Sequence, residues 1–301
     1  MTEVGLYIVD YDPDIFKELG VKSLIFPSSV PREIVEDAER EFEVFIDFKP
    51  FEGGTIENIF NVKNRLGPLG CPSDIDLWSR NLEKVGYDRE MLILDFVRYP
   101  SPAYKDDFYT CFCDKCREMA SMIGYNLDDI KSDVKLYLRN GDTKFLDEWF
   151  RLKRDVINEY LKWASIKRAF YFTPSLSRLV GQDYRLHRLD VIHPMIYIED
   201  IGPAAIGTEV KYLSGGLRRL ILSWLDPIDN TLIGREYRKA VDLSKARVEP
   251  IINIGDDLQS KLSQVMDAGK IYLFTYTRRN YGILKKVVGV LGDGDVEDPM
   301  V

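Results

Sequence analysis

The sequence predicts an α/β fold, a (β/α)8 TIM-like barrel, on three observations. Short apolar runs alternate with amphipathic segments along nearly the whole chain, which is typical of βαβ units and a parallel sheet. Eight of these runs are strong strand candidates, and eight strands close such a barrel. No Gly-x-Gly-x-x-Gly follows the first run, which makes an open, doubly wound sheet the weaker alternative.

The predicted elements follow one another in a regular order. The strands are residues 6–10, 22–26, 42–47, 91–97, 169–173, 191–199, 248–254 and 271–276. An Asp12 N-cap, Pro13 and a stop at Gly20 predict the first helix. Residues 113–166 predict a largely helical excursion after strand four. Residues 219–225 predict either an extra strand or a helix in an enlarged connection between strands six and seven.

Composition and charge exclude several classes of protein. The 301 residues include 41 Lys and Arg against 49 Asp and Glu, a formal net charge of −8, which disfavours nucleic-acid and anionic-membrane partners. No apolar run approaches the ~20 residues of a membrane span, and residues 1–4 do not begin a signal peptide. The sequence therefore predicts a cytoplasmic protein, and its scarce glutamine with abundant charge fits a thermophilic source.

The chain shows no boundary between domains. Apolar residues make up 45% of it, which is enough for a packed core and excludes a disordered chain. No linker rich in Pro, Gly or Ser and no abrupt change of charge divides it. We therefore expect one barrel domain over residues 1–291, followed by an acidic tail over residues 292–301.

The four cysteines, Cys71, Cys111, Cys113 and Cys116, form the most specific pattern in the sequence. A full set of thiolates supplies the tetrahedral shell of a structural zinc ion. Two disulfides or unrelated buried cysteines are the alternatives, and the missing export signal disfavours disulfides. The loops after strands three and four adjoin on the C-terminal face of a barrel, so the pattern predicts one closed zinc site and no organic cofactor.

Strand four contains an acidic residue within an apolar run. Period-two alternation places Asp95 on the same face as Ile93, Val97 and Tyr99. A buried carboxylate is costly unless it is paired or serves chemistry, and in a barrel this one would point into the mouth where active sites lie. The alternative is a buried Asp95 paired with Arg98 or another internal base.

The run from Asp95 to Pro100 resembles the Asp-Tyr-Ile-Arg-Tyr-Pro signature of glycoside-hydrolase-like barrel families, and residues 191–197 resemble their sixth strand. The cysteine pattern resembles the structural zinc site of glycoside hydrolase family 42 β-galactosidases. These resemblances imply a glycoside hydrolase that acts on a carbohydrate through a carboxylate pair at the C-terminal face. The family 42 Asn-Glu pair at the end of strand four is missing here, so its acid/base residue is not carried over.

Glycoside cleavage generally needs two carboxyl groups. We expect Asp95 to act as nucleophile or transition-state stabiliser and Glu199, on the strand face of Tyr197, to act as general acid/base. The expected substrate-binding residues are Asp47, Arg98, Tyr99, Tyr197, Trp224 and Tyr276. A non-catalytic barrel that binds a saccharide or another partner is the second interpretation, and a lyase or deacetylase with an additional catalytic metal is the third.

Overall fold

The structure is a computed structural model, and it describes residues 2–186, 188–199, 202–225 and 227–292. Parallel strands close into an eight-stranded barrel within these ranges, which confirms the predicted TIM-like fold. The barrel strands are β1 (Glu3–Ile8), β2 (Ser23–Pro27), β3 (Glu43–Phe48), β4 (Leu92–Leu94), β5 (Arg168–Phe172), β6 (Val191–Met195), β7 (Ile251–Asn253) and β8 (Lys270–Tyr276). Each pairs with its neighbours in chain order, and β8 pairs with β1.

The seams of the barrel differ in length. β1 lies in register with β8 along most of its length. By contrast, Met195 and Ile251 form the single registered pair between β6 and β7, and the Ile196 N–H donates to the Ile251 carbonyl at 3.1 Å. A short extra strand, Arg247–Val248, pairs with β6 ahead of β7. The barrel is therefore most tightly closed around its first strand.

Helices surround the barrel. The α-helices of the described chain are α1 (Pro13–Glu18), α2 (Arg32–Ala38), α3 (Ile75–Val85), α4 (Asp114–Met122), α5 (Leu127–Asn140), α6 (Asp147–Ala164), α7 (Pro174–Ser177), α8 (Ile206–Tyr212), α9 (Gly215–Leu225), α10 (Leu232–Leu243), α11 (Leu258–Ser263) and α12 (Tyr281–Gly292). The 3-10 helices are Arg89–Met91, Pro102–Phe108, Thr143–Leu146, Arg178–Val180 and Arg278–Asn280. A small antiparallel hairpin pairs Ile56–Glu57 with Lys63–Asn64.

The ambiguous segment 219–225 belongs to helix α9. Leu217, Ile221 and Leu225 are buried, whereas Arg219 and Ser223 between them are exposed. A strand would bury every second residue, so this pattern is that of a helix face. The connection between β6 and β7 is therefore enlarged by α8, α9 and α10. The Asp12 N-cap is confirmed, because its side chain accepts from the Ile15 N–H.

Both faces of the barrel strands are covered by packed side chains. Ile25, Phe45, Ile93 and Tyr272 belong to the cluster inside the lumen, whereas the larger cluster packs the outer faces of the strands against the helices. A Cβ atom at Gly5 would stand 2.4 Å from the Tyr272 ring. Glycine at this position of β1 therefore leaves the space that the Tyr272 ring occupies.

No helix in the described ranges is long and apolar enough to cross a membrane. The predicted acidic tail lies outside the described residues except for Gly292, where α12 ends. The single domain over residues 1–291 stays a prediction.

Candidate active site

A cavity of about 270 Å³ opens at the carboxyl ends of the barrel strands. Its polar side chains are Tyr7, Asp47, Lys49, Asp95 and Arg98. Its apolar wall includes Phe96, Phe170, Met195, Tyr197, Ile251 and Phe274. Pockets that bind drug-sized ligands typically have volumes of about 300–1,000 Å³. This cavity is slightly smaller, so it suits a small molecule.

Asp47 lies at the centre of the polar group. It follows Phe45 on the inward face of β3, and Lys49 continues the same alternation two residues later. Asp47 Oδ2 accepts hydrogen bonds from the Tyr7 hydroxyl at 2.8 Å and from Lys49 Nζ at 2.7 Å. Its other oxygen, Oδ1, is buried without a partner among the described residues. Asp47 therefore has one engaged oxygen and one free oxygen.

Asp47 shifts the pKa values of its two donors, Tyr7 and Lys49. Burial raises the pKa of the Tyr7 hydroxyl well above its ordinary value, and the nearby Asp47 charge raises it further. Burial works against the charged form of Lys49, but the charge of Asp47 and the hydrogen bond to it together raise the Lys49 pKa. Tyr7 stays a hydrogen-bond donor and Lys49 stays a cation.

Asp95 enters the same cavity from the end of β4. Its backbone N–H donates to the Phe48 carbonyl at 2.8 Å, which extends the pairing with β3. Its side-chain Oδ1 accepts from the Phe96 N–H at 2.7 Å. Burial, followed by the charge of Asp47, raises the Asp95 pKa to about 8, although Lys49 and the Phe96 N–H oppose the rise. Asp95 is therefore mostly protonated at neutral pH.

Arg98 completes the polar lining without pairing with Asp95. Its guanidinium lies over the Phe172 ring at 4.7 Å and the Phe96 ring at 4.8 Å, and Nη1 donates to the Tyr99 carbonyl at 3.2 Å. Among the described residues it forms no ion pair, and its Nε is buried without a partner. The Asp95–Arg98 pair considered from the sequence does not form.

Glu199 does not join Asp95 in the cavity, which corrects the predicted carboxylate pair. It is absent from the cavity lining, and its Oε1 contacts the buried Lys261 ammonium, which also lies 2.8 Å from Asp257. The physical reason is that β6 ends at Met195 and the buried Lys261 ammonium holds the Glu199 carboxylate outside the cavity. The strand alternation that places Tyr197 in the cavity does not extend to Glu199.

Two other predicted residues do lie where the sequence placed them. Tyr197 lines the cavity and stacks on Phe274, with ring centroids 5.4 Å apart. Asp47 also lines it. Their roles in binding a substrate stay predictions.

Three predicted aromatic residues lie elsewhere. Phe96 has a φ of 53°, a left-handed conformation that ends the strand alternation, so Tyr99 packs in the outer core and not in the cavity. Tyr276 is buried in the same core, with its ring 5.1 Å from that of Phe16. Trp224 lies on α9 beside a separate concavity of about 520 Å³ between α6, α7 and α10.

Sequence reasoning missed Tyr7, Lys49, Phe170 and Phe274 as cavity residues. A signal for Lys49 was present, because it follows Asp47 by two residues and so faces the same way. The aromatic residues gave no such signal, since each lies in an apolar run that also reads as core.

The four cysteines come together as predicted. Their sulfur atoms all lie within 4.8 Å of one another; Cys71 Sγ is 3.2 Å from Cys116 Sγ and 3.5 Å from Cys113 Sγ. Cys71 lies between β3 and α3, whereas Cys113 is the N-cap of α4 and Cys116 is in its first turn. The cluster joins the loops that follow β3 and β4, and it could bind a metal ion.

The structure thus defines a closed (β/α)8 barrel with a small polar cavity and a four-cysteine cluster. No protein-family model and no curated protein matches the chain. A solved structure that matches is an HpcH/HpaI aldolase from Desulfitobacterium hafniense DCB-2, at 11% identity and a TM-score of 0.38, over 99% of this chain and 95% of that chain. At these values the match assigns no chemistry to this protein.

The glycoside hydrolase function expected from the strand-four motif is corrected. No protein-family model matches the chain, and therefore no glycoside hydrolase model does. The geometry agrees, because the Asp95–Glu199 pair on which that function depended is not assembled. The saccharide-binding alternative rested on the same resemblance and is dropped with it.

Proposed function

We propose that this protein is an enzyme that moves a proton within a small organic molecule by general acid–base catalysis. The observation that supports it is the convergence of Asp47, Lys49 and Asp95 in one cavity at the carboxyl ends of neighbouring strands. Active sites of this barrel fold occupy that face. Pairs of titratable groups held in different protonation states are typical of acid–base sites.

The environment of each carboxyl group sets its role. Asp95, with its pKa raised to about 8, holds a proton that it can donate near neutral pH. Asp47 is the base, because Oδ1 is free to accept a proton while Tyr7 and Lys49 hold Oδ2 in place. Lys49 also balances the charge of Asp47. Donor and acceptor then act on opposite parts of one bound molecule.

The reaction class that fits this pair is enolisation followed by isomerisation. Asp47 Oδ1 takes a proton from a carbon beside a carbonyl group, and the electron pair of that C–H bond forms the C=C bond of an enol. Asp95 gives its proton to the carbonyl oxygen at the same time. When the carbon that lost its proton also carries a hydroxyl group, the enol is an enediol. Asp95 then takes the proton of that second O–H group, whose electrons form the new C=O bond, while Asp47 protonates the former carbonyl carbon, which moves the carbonyl group to the neighbouring carbon and restores both carboxyl groups to their starting protonation states.

The proposal predicts carbon-bound hydrogen exchange with solvent. Proton NMR in D2O, with small aldehydes, ketones and 2-oxo acids as probes, should reveal enzyme-dependent loss of the signal of a proton beside the carbonyl. Asp95→Asn and Asp47→Asn should each slow this exchange by about 10²- to 10⁴-fold, the usual contribution of a positioned acid or base.

Glu199→Gln is the matched control, since Glu199 is a carboxylate at the same end of the barrel but outside the cavity lining. The Glu199→Gln variant should catalyse hydrogen exchange of the probe molecules at the wild-type rate. The assignment of the acid and base would be contradicted if Asp95→Asn catalysed hydrogen exchange at the wild-type rate. It would also be contradicted if Glu199→Gln slowed the exchange as much as Asp95→Asn does.

We also propose that the cysteine cluster holds a structural zinc ion. Four zinc-bound thiolates at about 2.3 Å from the ion stand about 3.8 Å apart, and the sulfur separations of 3.2 and 3.5 Å are close to that value. Four protein ligands leave no open position for a substrate, so the ion would be structural. Reduced thiols also favour a reducing, cytoplasmic compartment.

Metal analysis by mass spectrometry tests the ion directly. The purified protein should contain one zinc ion per chain, and Cys116→Ser should lose it, because three thiolates no longer complete the shell. A chain without metal, or Cys116→Ser with a full complement, would refute the zinc site.

A further inference from the structure

Arg98 is a buried cation whose hydrogen-bonding capacity is largely unused. The side chain is 2% exposed, yet of its five N–H donors one is engaged by a described acceptor, the Tyr99 carbonyl. Its Nε is buried without a partner. A buried guanidinium is always charged, and leaving it without a direct counter-ion is costly. Since Arg98 also lines the cavity, a ligand can supply that partner.

The neighbouring carboxyl groups do not take this place. The Arg98 charge acts on Asp95 and Glu209 from a distance, where it opposes the rise that burial causes in both pKa values. Glu209 is held by other donors, namely the Ser101 hydroxyl at 2.7 Å and the Ala103 and Ala204 N–H groups at 3.0 and 2.9 Å. Asp95 accepts from the Phe96 N–H. Neither makes an ion pair with Arg98.

The second cation of the cavity is already balanced. Lys49 Nζ lies 2.7 Å from Asp47 Oδ2, and that pair is neutral overall. Among the described lining residues, Arg98 is therefore the positive charge that has no contact partner of opposite sign. One unbalanced charge in a small cavity fits a ligand with one negative charge better than a doubly charged phosphate ester.

We propose that the cavity binds a small organic carboxylate, with the ligand carboxylate on the Arg98 guanidinium and its apolar body against Phe170, Met195 and Phe274. A guanidinium presents paired N–H groups that match the two oxygens of a carboxylate. The apolar side chains form the remaining wall and bury the body of the ligand. The inference rests on the proposed function for the reaction that follows binding, but binding itself is measured separately.

The stacked position of Arg98 supports this role. The centroids of the Phe172 and Phe96 rings each lie under 5 Å from the guanidinium carbon. These contacts restrict the side chain before a ligand binds, so less conformational freedom is lost when a carboxylate binds. A flexible surface arginine would lack this advantage. The aromatic stacking therefore makes Arg98 a specificity-determining residue for the charged end of the ligand.

Isothermal titration calorimetry on the whole protein tests the inference with matched ligands. Benzoate and phenylacetate should bind, whereas benzamide and phenylacetamide, of the same shape but without charge, should bind roughly tenfold to hundredfold more weakly, the usual range for a charged hydrogen bond. Inorganic phosphate should not compete. Equal binding of acids and amides, tighter binding of phosphate, or no binding of either acid would overturn the proposal.

Variants locate the binding to Arg98. Arg98→Gln should remove the preference for acids over amides, and Arg98→Lys, which keeps the charge but loses the paired donors, should retain part of it. Arg151→Gln, at an exposed arginine of the outer concavity, is the matched control and should bind like the wild type. If Arg98→Gln does not fold, Arg98→Lys and the acid–amide comparison still decide the question; an unchanged preference in Arg98→Lys contradicts paired donation.

The two proposals fail in different ways. If acids bind through Arg98 but Asp95→Asn exchanges carbon-bound hydrogen like the wild type, the binding site stands and the acid–base function falls. If exchange depends on Asp95 and Asp47 but acids and amides bind alike, the function stands and the carboxylate specificity falls.

Discussion

Asp47 and Asp95 are the same residue type at the ends of adjacent strands, yet their surroundings differ. Asp47 receives two side-chain donors, one of them a cation. Asp95 receives one backbone N–H, and its burial, followed by the Asp47 charge, raises its pKa to about 8. Local donors, and not residue identity, therefore separate the proposed acid from the proposed base.

The raised Asp95 pKa predicts a pH-dependent stability difference. The folded value of about 8 exceeds the ordinary value of 3.8, so the folded state binds more protons between these values. The stability from protonated Asp95 is therefore lost progressively as the pH rises from about 4 to about 8. Asp95→Asn cannot ionise. Its melting temperature, measured by differential scanning calorimetry, should be close to the wild type at pH 4 and exceed it by several degrees at pH 9.

Asp76→Asn provides the control for that experiment, because the Asp76 side chain is 85% exposed. Its melting temperature should follow the wild-type curve at both pH values. If the Asp95→Asn curve also runs parallel to the wild type, the Asp95 carboxyl is ionised in the folded protein at neutral pH and cannot be the acid.

Strand β1 depends on a glycine for its place in the barrel. A methyl group at Gly5 would meet the Tyr272 ring at 2.4 Å and Ser23 Oγ at 2.6 Å. Gly5→Ala should destabilise the protein by about 1–3 kcal/mol, the usual cost of overpacking a core. Gly269→Ala, beside β8 with open space around its Cβ position, should be close to neutral. Urea unfolding measures both, and equal stabilities would show that the lumen tolerates the methyl group.

The strand elements were predictable from their patterns, but one strand end was not. Alternation along β4 correctly brings Ile93 into the lumen and Asp95 into the cavity. It fails one residue later, where Phe96 adopts a positive φ and Tyr99 turns to the outer core. The sequence around Phe96 does not predict this left-handed conformation, because a residue other than glycine adopts it only where the surrounding structure holds it there.

The cysteine cluster links the loops that follow the strands of Asp47 and Asp95. Cys71 follows the Asp47 strand, and Cys111, Cys113 and Cys116 follow the Asp95 strand. A metal ion bound there would hold both loops in place without touching the cavity. Chelation under reducing conditions should therefore lower the melting temperature by several degrees and slow the exchange reaction.

Cys116→Ser separates metal loss from other effects of the chelator. Its melting temperature should already be reduced, and the chelator should change it no further. A wild-type protein whose unfolding and hydrogen exchange are both insensitive to chelation would show that the cluster does not support the site.

The thermophilic source stays a prediction.

The order of strands and helices, the barrel and the four metal-ligand candidates were all determined by the sequence. Hydrophobic period and residue spacing are local properties, and a barrel brings the ends of consecutive parallel strands together by its topology alone. Of the site residues that the sequence predicted, Asp47, Asp95, Arg98 and Tyr197 line the cavity, and their roles stay predictions.

Tertiary structure alone decided which of the candidate acids share a cavity. Glu199 lies four residues beyond the end of β6 and is drawn to Lys261, whereas Lys49 and Tyr7 converge on Asp47 from two different strands. Such convergence depends on where strands end and on which buried charges find partners. Those are properties of the packed chain, and no local pattern encodes them.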